Sequence, residues 1–120
     1  MNKELERKLI TKYPNLFKDI NLPPFLTLIC FGCECYDGWY QILDDLFAKL
    51  SIFKDLKLLQ VKEKFGELRI YLNYYTDEIQ KLILEAERKS RRTCEICGQK
   101  GKVCRTGGFI MVRCSKCLKQ

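Results

Sequence analysis

Cys94 and Cys97 form one C-x2-C pair and Cys114 and Cys117 a second, with 16 residues between them near the end of a 120-residue chain. A segment this short buries too little apolar surface to fold alone, so whatever joins its thiols dictates its shape. A C-x2-C on a tight turn aims two sulfurs at one point, and two such turns place four at the corners of a tetrahedron. Gly98 follows the first pair, where the turn needs a permissive φ. The intervening KVCRTGGFIMVRC is rich in β-branched residues around Gly107-Gly108 and suits a hairpin. The leading reading is a zinc ribbon holding structural Zn2+, because four protein ligands leave no open position for water or substrate. A disulfide staple, a redox C-x2-C and an iron–sulfur cluster are the weaker alternatives.

Compartment bears on that choice. The opening MNKELERKLI carries charges of both signs and lacks the apolar stretch of a secretory signal. The apolar run from Pro23 to Phe31 is too short to span a membrane. A cytoplasmic protein is therefore expected, and there eight cysteines favour metal over disulfides. The chain contains no histidine, which excludes Ser-His-Asp and Cys-His catalysis. No phosphate-binding glycine loop is present, and Asp44 and Asp45 are expected on the solvent side of a helix, so no enzyme is expected.

Periodicity predicts an α+β fold. Leu5, Leu9 and Tyr13 mark a helix over residues 2–12, stopped by Pro14. Leu26–Phe31 reads as a short buried strand. Asp37 reads as the N-cap of a helix from Trp39 to about Ile52, with Ile42, Leu43, Leu46, Phe47 and Leu50 on one face. Trp39 itself reads as core at the start of that helix, although a tryptophan beside a glycine turn can also anchor a partner. In KLLQVKEKFGELRIYLNYY, Leu59, Val61 and Phe65 alternate before Gly66, and Leu68, Ile70, Leu72 and Tyr74 alternate after it. This predicts a β-hairpin. Glu63 falls on its inward face, which calls for a bulge or a specific partner. Thr76 or Asp77 then caps a helix striped by Ile79, Leu82, Ile83 and Ala86 that runs into Cys94. The expected organisation is an α+β domain over residues 1–92 and a zinc ribbon over 93–120 packed on the preceding helix. Cys30, Cys33, Cys35 and Cys104 read as small apolar side chains, with a second metal site as the alternative.

The strings ECYDGWYQILDDL, QVKEKFGELRIYLN, EAERKSRRTCEICGQKGK, GGF and RCSKC, spanning residues 28–117, resemble a family of small phage and prophage proteins. Members of that family carry a glycine after the cysteine matching Cys35, an aromatic near Phe109 and a final Cys-x-x-His. Here the last position is Cys117, an exchange that a preserved zinc site tolerates. The resemblance brings no activity with it. It implies a phage-related setting, in which such a protein would act on a host machine, including as an inhibitor of a defence nuclease such as a CRISPR effector.

Charge points to a partner class. The formal net charge is +7, yet residues 1–79 carry 11 basic and 12 acidic side chains while residues 80–120 carry 11 and 3. Four thiolates around one zinc contribute −2, leaving roughly +6 on that final third. Arg88, Lys89, Arg91, Arg92, Lys100, Lys102, Arg105, Arg113 and Lys116 surround the cysteines and are expected to attract a polyanion. On the hairpin, Lys62, Lys64, Arg69, Tyr71 and Tyr75 offer the basic and aromatic mixture that single-stranded nucleic acid uses. The expected function is non-enzymatic engagement of a nucleic acid or nucleoprotein complex. A protein-interaction module bound to an acidic protein surface, with no nucleic-acid contact, is the alternative.

Overall fold

Asn2 starts the first helix. Its side chain accepts from the amides of Glu4 and Leu5 and so caps α1 (Lys3–Lys12). Asp37 accepts the Asn2 amide N–H at 2.6 Å. This aspartate therefore serves α1 rather than the helix that follows it, correcting the expected N-cap. Asp37–Trp39 is instead a 3-10 turn leading into α2 (Tyr40–Leu50), and Ile52 lies beyond the helix, exposed. The computed structural model describes residues 1–118.

The strand expected at Leu26–Phe31 does not form. Ile29–Phe31 is a 3-10 turn with Ile29 alone buried, while Leu26, Leu28 and Phe31 are exposed. Thr27 and Ile29 are the buried members of the run, and with its large side chains Leu26, Leu28 and Phe31 in solvent it has no apolar sheet face to bury. The first strand is β1 (Cys33–Glu34), which pairs parallel to β2 (Leu58–Lys64); β2 pairs antiparallel to β3 (Glu67–Leu72). Helix α3 (Asp77–Ser90) is capped by the Thr76 hydroxyl on Ile79 N–H and packs on α2 and β3 through Ile79, Ile83 and Ala86. A second, two-stranded sheet follows: β4 (Lys102–Thr106) antiparallel to β5 (Phe109–Arg113), then one turn of helix, α4 (Ser115–Leu118). The α+β class is as predicted.

The core lies between α2, α3 and the first sheet. Leu43, Phe47, Leu50, Leu58, Val61, Leu68 and Ile79 are all fully buried there, each contributing roughly 1.5–3 kcal/mol of apolar transfer. Phe17 and Tyr13 meet Phe47 edge-on. Of β4 and β5, only Val112 joins this cluster.

The hairpin departs from its predicted alternation at both ends. A register shift between Leu58 and Gln60 turns Leu58 inward and leaves Leu59 half-buried. Lys64 pairs with Glu67, so the loop is Phe65-Gly66 itself, with φ of 55° and 78°, as a type I′ turn requires. Phe65 is thus not an inward strand residue; it is 69% exposed. Holding a non-glycine residue at positive φ costs about 1–2 kcal/mol. Glu63 has the specific partner its position called for: its carboxylate accepts the Gly66 amide N–H at 2.8 Å and ties the turn.

Candidate metal centre

The four predicted sulfurs converge. Ligand atoms of Cys94, Cys97, Cys114 and Cys117 all lie within 4.8 Å of one another, with Cys97 and Cys114 Sγ 3.6 Å apart. The first pair sits on a turn closed by Gly98 N–H to Cys94 C=O at 2.9 Å, and Cys94 N–H donates to Gln99 C=O at 2.7 Å. The second pair follows β5: α4 carries Cys117, whose amide N–H donates to Cys114 Sγ at 3.4 Å. Two backbone turns thus fix all four side chains on one point. Cys94 is fully buried at the base and Cys97 exposed at the rim. The arrangement can hold a metal ion with no position left over for a substrate.

Electrostatics fit a cation. Burial pushes the Cys94 thiol up, but the amides of Cys97, Cys114 and Ile96 outweigh it and hold the group at about 6. Cys117 is pushed up to about 12, by burial and then by the sulfurs of Cys114, Cys94 and Cys97. The first thiolate forms readily and the last is resisted by its neighbours, a resistance that a bound cation removes.

The centre is fastened to the rest of the protein by residues that cysteine spacing does not reveal. Gly38 N–H donates to Glu95 C=O at 2.7 Å. A Cβ on Gly38 would lie 2.2 Å from the Cys94 carbonyl oxygen and 2.5 Å from that of Glu95, so only glycine permits this approach. Trp39, fully buried, donates its indole N–H to Thr93 C=O at 2.9 Å. The predicted core role of Trp39 is therefore joined to a docking role. Glu95, also buried, accepts the Tyr36 amide N–H at 3.2 Å and faces Arg113 at 3.6 Å. Burial raises its carboxyl, the Tyr36 amide opposes that, Glu63 adds to it and Arg113 opposes it. The local string Asp-Gly-Trp was the one sequence signal for this contact.

The basic residues divide into two groups. Arg91 pairs with Glu67, Arg69 with Glu67 at 3.6 Å and Glu87 at 4.0 Å, Lys89 with Glu85 at 3.3 Å, and Arg113 with Glu95. Arg69 is half-buried in this network and its Nε is buried without a partner. Tyr75 accepts the Leu72 amide through its hydroxyl, and Tyr71 stays on the exposed face of β3. Lys62, Lys64, Arg88, Arg92, Lys100, Lys102, Arg105 and Lys116 make no ion pair among the described residues. The unpaired charge thus falls on the ribbon, on Arg88 of α3 and on Lys62 and Lys64 of β2; of the cations on the predicted hairpin face, Arg69 alone is neutralised, and Lys62 stands opposite it across the ladder.

The remaining cysteines do not converge. Cys33 and Cys35 are core residues with thiols raised by burial, Cys35 to about 12. Cys30 donates to Thr27 C=O and Cys104 to Lys102 C=O. Among the described residues no second group of metal-ligating side chains forms. No helix there is long and apolar enough to cross a membrane. Comparisons with protein-family models, with curated proteins and with solved structures find no match to this chain.

Proposed function

We propose that the protein is a non-enzymatic binding module. In this reading its C-terminal ribbon is held in shape by structural zinc and presents unpaired cations to a nucleic acid or nucleoprotein complex. One observation carries the metal half: four sulfurs, mutually within 4.8 Å, on two short turns. A tetrahedron of 2.3 Å zinc–sulfur bonds has edges of about 3.8 Å, in keeping with the 3.6 Å between Cys97 and Cys114. Zinc supplies a crosslink and no reactive position. The partner half is supported by Arg92, Lys100, Lys102, Arg105 and Lys116, which have no carboxylate partner among the described residues, on a region whose one acidic residue between 93 and 118, Glu95, is buried. The resemblance to phage and prophage proteins supports a setting inside an infected or lysogenic host, with inhibition of a defence nuclease as its most specific form.

Two measurements test this. Elemental analysis of reduced protein should return one zinc per chain; no stoichiometric metal would sink the first half. Affinity for DNA or RNA should fall steeply with salt, and charge reversal at Arg92, Lys102 and Arg105 should abolish it. Absence of any shift at low salt would sink the second half. One observation favours a protein partner instead: Leu22, Phe25, Leu26, Leu28 and Phe31 leave apolar surface exposed on a single loop, as protein-docking surfaces do. A pull-down with and without nuclease treatment separates the two readings.

A further inference from the structure

An unpaired strand edge invites another strand, so proteins either cover their edges or use them. Three of the edge strands in the two sheets are covered from within. On β1, Cys33 N–H donates to the Glu6 carboxylate at 2.6 Å. On β3, the amides of Leu68 and Leu72 donate to the Ser90 and Tyr75 hydroxyls at 3.1 and 3.0 Å. On β5, Val112 C=O accepts the Glu95 N–H at 3.0 Å, and the Phe65-Gly66 turn rests against Ile110. β4 is the exception.

Gly107-Gly108, with φ of 57° and 84°, closes the second hairpin in two residues and sets Thr106 opposite Phe109. Thr106, Cys104 and Lys102 therefore exchange the ladder hydrogen bonds with β5, and the N–H and C=O of Val103 and Arg105 turn outward. Val112, opposite Val103, obeys the same alternation by turning its C=O outward to Glu95. Among the described residues nothing pairs with the outward groups of Val103 and Arg105. Val103 is 46% exposed, and Arg105 is exposed beside it.

Side chains select what can pair there. Lys102 and Arg105 lie on opposite faces of β4, and neither has a carboxylate partner among the described residues. A second copy of this chain would bring like charges together along the seam, which paired strands resist. A phosphodiester chain offers acceptors alone and would leave the carbonyls of Val103 and Arg105 unpaired. An extended peptide supplies donors and acceptors in alternation, and carboxylates on it would meet both cations. A two-stranded ribbon, marginal by itself, gains from a third strand.

We propose that the free edge of β4 takes up an extended, acidic segment of a partner protein by strand addition. Carboxylates of that segment lie opposite Arg105 and Lys102, and a β-branched side chain lies opposite Val103. The proposal rests on the metal half of the proposed function, which shapes the ribbon, and is independent of the nucleic-acid half.

The test uses the full, metal-replete chain and a labelled, end-capped peptide, Thr-Glu-Thr-Val-Glu-Thr, which meets these positions when it pairs antiparallel. In the free chain the amides of Val103 and Arg105 should exchange fast and those of Cys104 and Thr106 slowly; bound peptide should slow the first two as well. N-methylating the peptide valine deletes the donor to Val103 C=O and should weaken binding about 10-fold. Val103→Pro keeps the ladder to β5, because its nitrogen faces outward, so it should retain metal and lose about 10-fold in peptide affinity. Arg105→Glu should lose about 10-fold as well, and lysine in place of the first peptide glutamate should restore it. No peptide binding on a ribbon with protected ladder amides, or undiminished binding after N-methylation or by Val103→Pro, would overturn strand addition and leave the metal centre standing. An oligothymidylate that slows the Val103 and Arg105 amides where the peptide does not would assign the edge to nucleic acid instead. Fast exchange along all of β4 in the metal-replete chain would overturn the shaped ribbon and its edge together.

Discussion

The two sheets of this protein are stabilised by different means. The first sheet and its helices enclose a shared core, with Leu43, Phe47, Leu58, Val61 and Leu68 removed from water. The second sheet contributes Val112 alone to that core, and the other residues of β4 and β5 are exposed or half-buried. A ten-residue ladder with one buried anchor cannot offset its own ordering entropy. Its shape must come from the sulfur cluster beneath it and from docking through Gly38 and Trp39. The first region encloses an apolar core of its own, and the second is held by what it is fastened to.

Withdrawing the proposed zinc should separate the regions most sharply. A strong chelator, or Cys114→Ser, should abolish amide protection in Lys102–Thr106 and Phe109–Arg113 while Leu58–Leu72 stays protected. The binding energy forfeited is on the order of 10 kcal/mol, and hydrogen exchange reads the outcome. Equal protection of both hairpins after chelation would break the comparison.

Gly38→Ala attacks the seam. Its Cβ would strike two backbone carbonyls, so a loss of about 3 kcal/mol is expected in denaturant unfolding, with the ribbon opening first. Trp39→Phe keeps most of the packed volume but deletes the donor to Thr93, leaving a carbonyl unsatisfied at a cost of about 1–2 kcal/mol. If that variant takes up a metal ion as tightly as the parent does, the indole hydrogen bond is not part of the docking.

The smallest effect belongs wholly to the first region. Asp44 accepts from Lys12 Nζ at 2.7 Å and from the Tyr13 hydroxyl at 2.6 Å, so it is not the free solvent-side carboxylate that its helix position suggested. Burial raises its pKa, but the hydrogen bonds from Lys12 and Tyr13 outweigh this and hold it below the ordinary 3.8. A depressed carboxylate stabilises the fold above its unfolded value, and that contribution disappears as pH falls through the lower folded value. Asp44→Asn should therefore cost about 1 kcal/mol at neutral pH and nothing at a pH below both values. Thermal melts at the two pH values check it, and metal content should not change.

Much of this was legible beforehand because its signals are local. The four ligands follow from two spacings, since a C-x2-C can aim both sulfurs at one point wherever its turn lies. The apolar stripes of α2 and α3 follow from a 3.6-residue period, and Thr76 from its place ahead of one. The misreadings share a cause. Leu26–Phe31 suggests a strand because an apolar run does not say how many of its members find a core. Asp37 suggests a cap for the next helix because sequence order favours the nearest client, whereas the closer amide is that of Asn2. Phe65 suggests an inward residue because alternation does not reveal where a turn begins.

The sequence by itself determined that four thiols would meet and that positive charge would gather near them, since both depend on neighbours in the chain. Only the tertiary structure decided which cations remain free. Glu67 of β3 neutralises Arg91, Glu87 of α3 reaches Arg69 of β3, and Glu95 meets Arg113 of β5; pairing at such distances cannot be counted along a chain. It also decided that Gly38 must lack a side chain and that the Phe65-Gly66 turn rests against Ile110 of the ribbon. Each results from surfaces brought together across dozens of residues, where packing rather than periodicity selects what fits.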